Sequence, residues 1–60
     1  METEHQSVRD YIAARQRGDR AETDRLRREA IARFETRQTD GTELRDMTEA
    51  SMTVPFGPQD

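Results

Sequence analysis

Cysteine is absent from this chain, so neither a disulfide nor a thiolate zinc site can hold it together. Lysine, asparagine and tryptophan are missing as well; arginine carries every basic charge, and only three of the sixty residues are aromatic. No apolar run approaches the roughly 20 residues of a membrane span, and residues 1–7 lack the basic start and apolar stretch of a secretory signal. These absences lead to the expectation of a cytoplasmic protein with no membrane partner.

Apolar mass is scarce too, at 30% hydrophobic against 38% charged composition. Beyond Met1 the large apolar side chains are Val8, Tyr11, Ile12, Leu26, Ile31, Phe34, Leu44, Met47, Met52, Val54 and Phe56. Burial of so few side chains falls short of the conformational entropy lost on ordering the chain. Natural domains of this size recruit disulfides, a metal or another chain, and with cysteine absent another protein chain is the expected partner, either a second copy or a different protein.

The net charge of −3 conceals an asymmetry. Residues 9–37 hold nine arginines against six acids, whereas residues 38–60 hold Arg45 against five acids. A mildly basic middle is followed by an acidic end.

Punctuation and periodicity give an all-α fold. Gly18 can take the left-handed conformation that ends a helix, and Asp19 with Glu22 makes an Asp-x-x-Glu start signal. Together they predict a helical hairpin over about 4–17 and 20–37, antiparallel because the connection is so short. Thr3 with Gln6, or Ser7 with Asp10, is the expected cap of the first helix. The expected hairpin packing residues are Val8, Tyr11 and Ile12 against Leu26, Ala30, Ile31 and Phe34, which recur at helical spacing. Asp24 with Arg28 and Glu29 with Arg33 are acid-before-base pairs four residues apart on the second helix.

After Thr39-Asp40-Gly41 the pattern restarts, with Asp40 or Thr42 as cap of a short third helix over about 43–50. Ser51 to Phe56 alternate polar and apolar residues, and Pro55 removes a donor and disfavours helix at Val54, so an extended C-terminal tail is expected from residue 51 onward. The organisation is therefore a hairpin over 1–41 followed by a short helix and acidic, apolar tail over 42–60.

Chemistry-bearing motifs are sparse. His5, Ser7 and Asp10 are the residue types of a nucleophilic triad, but they crowd one short stretch with no sign of an oxyanion hole. His5 beside Glu2 and Glu4 reads as solvated surface, and no glycine-rich phosphate loop is present. No enzymatic activity, cofactor or metal is expected. The arginines of the second helix raise the alternative of a small dimeric nucleic-acid-binding regulator; the interspersed acids and the lack of a placed stacking aromatic disfavour it.

Two resemblances bear on the reading. The Gly18-Asp19 turn between two helical stretches resembles the hairpin of a tetratricopeptide repeat over residues 11–34, although Arg27 stands where that family packs an apolar residue. Thr39 two residues before Gly41, with Glu49 ninth when Gly41 is counted first, resembles the leader and core junction of a lasso-peptide precursor. That family's Tyr-x-x-Pro leader motif is absent, the chain reading Tyr11-Ile12-Ala13-Ala14. This second resemblance implies a ribosomally made peptide precursor whose core begins at Gly41.

The tail is the main candidate site. Leu44, Met47, Met52, Val54 and Phe56 form a ladder of apolar anchors flanked by Glu43, Asp46 and Glu49. Such a segment suits a partner groove with basic residues at its rim; the alternative is that Val54 and Phe56 fold back over Leu26 and Phe34. The expected function is that of a small protein-binding module, an adaptor, antitoxin-like inhibitor or accessory subunit.

Overall fold

A computed structural model describes residues 2–58. It contains three helices, α1 (Gln6–Gln16), α2 (Arg20–Glu35) and α3 (Thr42–Thr53). The all-α class expected from the sequence is the one observed. Met1, Gln59 and Asp60, the last two counted in the expected tail, lie outside the described residues. No helix is long and apolar enough to cross a membrane among the described residues.

The two helix stops of the hairpin share one geometry but not one residue type. α1 ends with Gly18 N–H bonded to Arg15 O at 3.0 Å and Asp19 N–H to Ala14 O at 2.9 Å, with Gly18 left-handed at φ 74°. α2 ends likewise, Arg37 N–H bonding Phe34 O at 3.1 Å and Gln38 N–H bonding Arg33 O at 2.8 Å, with Arg37 left-handed at φ 60°. Both are Schellman motifs. Gly18 is readable in the sequence, whereas a left-handed arginine is not, and α2 accordingly stops two residues before the expected position 37.

The helix starts also depart in part from expectation. Asp19 caps α2 by accepting the N–H of Glu22 at 3.1 Å. α1 begins after His5, whose side chain makes no capping bond. The expected caps serve elsewhere: Thr3 hydroxyl donates to Asp46 at 3.0 Å, Ser7 hydroxyl donates to Glu43, and Asp10 accepts from Gln6 at 2.9 Å. At α3 the N-cap is left-handed Gly41, and Asp40 accepts both the N–H and the hydroxyl of Thr42, at 3.0 and 2.8 Å.

α3 continues three residues past position 50, which corrects the expectation that Ser51, Met52 and Thr53 are extended. Pro55 restricts only its own and the preceding residue. Val54 N–H still closes on Ala50 O at 2.8 Å, and Ser51 and Thr53 hydroxyls bond back to Thr48 and Glu49 carbonyls.

One core draws on all three helices. Val8, Tyr11, Leu26, Ala30, Met47 and Ala50 form it, with Ile12, Leu44 and Val54 packed at its edge. Residues on both sides of position 41 contribute to it. Ala14, Ala30 and Ala50 are fully buried, so helices approach closely where side chains are small. Arg27 Nη2 meets Thr48 at 3.3 Å and the Phe34 ring lies against Gly41, which sets α2 and α3 antiparallel with Ile31 level with Leu44.

Candidate functional site

The eight residues expected on a partner divide between the inside and the outside of the molecule. Met47 is completely buried in the core and is not available as an anchor in this fold. Glu43 is only 5% exposed, and Arg33 grips its carboxylate with two bonds, of 2.9 and 2.7 Å, while Ser7 hydroxyl donates to the same group. Leu44 and Val54 are half-buried against the core. Asp46 accepts from Thr3 and pairs with Arg45 at 3.3 Å. Glu49 is exposed, and Met52 stands 75% exposed.

Of the hairpin residues, Val8, Tyr11, Leu26 and Ala30 are core, Ile12 and Ile31 are half-buried, and Phe34 is 47% exposed. Phe34 therefore does not pack in the hairpin, nor does the tail cover it. α2 turns its inward face toward both neighbours with Thr23, Leu26 and Ala30 buried along it, and Phe34 in the last turn overhangs the loop at Gly41.

Electrostatics centre on Glu43. The bonds from Arg33 hold its carboxyl below the ordinary carboxylate value, burial opposes this, and the Ser7 bond adds to the lowering. Arg33 is raised in turn by the same bonds. Asp40 is lowered chiefly by the Thr42 N–H and hydroxyl that it accepts. Neither of the expected pairs forms among the described residues: Arg33 leaves Glu29 for Glu43, and Glu29 joins Glu22 in flanking Arg25. The signal for this exchange is absent from local spacing, because Arg33 and Glu43 come together only when α3 folds back.

The triad types do not converge. Ser7 donates to Glu43, His5 Nε2 lies 2.8 Å from Thr42 Oγ1, and Asp10 accepts from Gln6. The Thr42 hydroxyl already donates to Asp40, so it accepts from His5 and the ring proton sits on Nε2. An open groove of about 690 Å³ runs along this end, walled by Thr3, His5, Arg9, Ile12, Arg45 and Asp46. It mixes both charge signs. No group of three metal-ligating side chains converges among the described residues.

Residues 54–58 lie as a strap across the α1–α2 turn. Arg15 Nε donates to Val54 O at 2.8 Å and Nη2 to Ser51 O at 3.0 Å. The Phe56 ring is clasped by two guanidinium groups, Arg15 at 4.4 Å and Arg20 at 4.6 Å from its centroid. Gly57 N–H bonds Arg15 O at 2.8 Å. Gly57 fits so closely that a Cβ there would lie 1.8 Å from Gln16 O, and one on Gly18 would lie 2.5 Å from Pro58 O. Nothing in local spacing marks Arg15, Arg20 or Gly57 for this role; proline-flanked Phe-Gly is the one signal visible in the sequence.

Magnitudes place the strap near balance. Two cation–π contacts at about 0.5–1 kcal/mol each, two hydrogen bonds of the strap at about 1 each and partial burial of Val54 and Phe56 give roughly 5 kcal/mol. Ordering five residues costs about 1–1.5 kcal/mol each, a little less at the two prolines, hence also roughly 6 kcal/mol.

Gly41 and Glu49, the ring-closing pair of the lasso resemblance, sit at the start of α3 and two turns into it, about 12 Å apart along the axis. Joining them requires α3 to unwind. Comparison of the chain with protein-family models, with curated proteins and with solved structures returns no match.

Proposed function

We propose that the chain is a small non-catalytic protein-binding module, of the adaptor or inhibitor kind, whose docking surface is the outer face of α2 and α3 and not the tail. The observation that carries this reading is the exposure of Phe34 and Met52 while Met47, Val54 and Phe56 are taken up by the chain itself. A chain so poor in apolar side chains leaves two large ones in water, at the two ends of one antiparallel helix pair. Ile31 and Leu44 lie level between them. Beside Ile31, Arg27 and Arg28 form no ion pair among the described residues. The partner that suits this face is a protein with an apolar groove and an acidic rim facing α2.

Arginine usage favours this over the nucleic-acid alternative. Arg15 and Arg20 clasp Phe56, Arg25 bridges Glu22 and Glu29, and Arg33 holds Glu43, which leaves no continuous basic stripe along α2.

The test is affinity capture from native-source lysate with the full chain beside a Phe34→Ser/Met52→Ser variant whose helical circular dichroism is intact. A stoichiometric protein retained by the first and lost by the second supports the reading. Equal retention by both, or recovery of nucleic acid in place of protein, refutes it.

A further inference from the structure

We propose that the α1–α2 turn is a peptide-binding seat selective for an extended segment in which an aromatic residue is followed at once by glycine. Residues 54–58 are its resident occupant, and the same segment of a second copy of this chain can take their place. This surface lies at the opposite end of α2 from Phe34, just beyond the Met52 end of the face described above.

The seat has the parts of a recognition site. Arg15 and Arg20 bring two guanidinium groups, one from each helix flanking the turn, over the Phe56 ring. Arg15 also reads main chain: its Nε donates to Val54 O and its own carbonyl accepts the Gly57 N–H, while its second guanidinium bond, to Ser51 O, goes to α3. Contacts of this kind depend on backbone course and one ring, so they are satisfied equally by a segment from another molecule. Glycine is required next to the ring, because any Cβ at Gly57 would collide with the Gln16 carbonyl at 1.8 Å. The seat contributes its own glycine, since a Cβ on Gly18 would strike Pro58 O at 2.5 Å.

Exchange follows from energetics and connectivity. The helical core closes without Phe56, and the backbone at Val54 is already extended, so the strap can swing about residues 54–55 at the cost of the packing of Val54 at the core's edge. The strap is near balance, and its opening costs the core little. A tethered occupant enjoys a millimolar effective concentration, so the chain's own tail holds the seat in dilute solution and a second copy enters when chains are concentrated or that tail is impaired.

The test is an amide-shift titration of the full chain carrying Phe56→Ala with a capped peptide of residues 53–58, and in parallel of the full chain carrying Gly57→Ala, whose tail is expelled sterically. The expected result is saturable shifts at Arg15, Gly18 and Arg20, an apparent affinity about two- to fivefold weaker for the unaltered chain, as a strap near balance dictates, and no binding by a peptide carrying Gly57→Ala. The proposal is overturned if neither folded variant binds the peptide, if the unaltered chain binds it equally well, or if the alanine-bearing peptide binds like the original.

Discussion

The carbonyl of Arg15 accepts two N–H groups at once, Gly18 at 3.0 Å to end α1 and Gly57 at 2.8 Å to seat the tail. Both lone pairs of one oxygen are used, so the helix stop and the strap are built on the same atom. Replacing Gly57 with alanine places a Cβ against Gln16 O and must lift the strap, while the Schellman turn keeps its own bond. Because the strap is near balance, global stability should change by less than about 1 kcal/mol. Hydrogen exchange at residue 57 should speed up by about two- to fivefold with helical circular dichroism unchanged.

Met47 and Met52 lie about 1.4 helical turns apart on α3 and should behave as opposites. Met47 is fully buried, so Met47→Ala leaves a cavity at the junction of three helices and should cost about 2–5 kcal/mol. In so small a domain this abolishes the cooperative thermal transition. Met52→Ala should shift the midpoint by no more than the equivalent of about 0.5 kcal/mol, since the side chain is 75% exposed.

Glu43 ties α1, α2 and α3 through Ser7, Arg33 and its own helix. Glu43→Ala strips the bidentate partner from a half-exposed arginine and should cost about 2 kcal/mol, or roughly 10 °C in thermal midpoint.

Acid should act through the same group. Glu43 is held below its ordinary 4.5 in the folded chain, so as pH falls the unfolded chain takes up its proton first. The resulting stabilisation is fully present above about 4.5 and is lost as pH falls through the folded value; lowered Asp40 acts in the same sense from its ordinary 3.8 downward. Urea midpoints measured from pH 7 to pH 3 should fall steeply below pH 4.5, and Glu43→Gln should flatten that slope.

Arg37 occupies a left-handed position that glycine adopts without strain. Arg37→Gly should stabilise by about 0.5–1 kcal/mol, the relief exceeding the added freedom of the unfolded chain. A higher urea midpoint with unchanged slope would establish this; a lower one would mean that the arginine side chain contributes something its exposure does not reveal.

Much of the fold was legible because it is written in short-range signals. Gly18 and Asp19 mark a turn by backbone conformation and a cap, and Val8, Tyr11, Leu26 and Ala30 recur at helical spacing. Arg37 at the second stop carried no such mark, and α3 outran its expected end because Pro55 acts only one residue upstream. The anchors of the tail were legible as apolar residues but not as inside or outside. Met47 and Met52 are the same side chain, and helical phase alone sends one into the core and the other into water once α3 lies against α1 and α2.

The sequence by itself determined the helices, the hairpin turn and the absence of disulfide support, since these depend on neighbours within about four residues. Tertiary structure alone decided that Arg33 pairs with Glu43, that Phe56 rests between Arg15 and Arg20, and that Phe34 is left in water. Charges and rings carry no local instruction about their partner. Which groups meet is settled by how three short helices divide one small core, and by which end of α2 the chain reaches when α3 runs out.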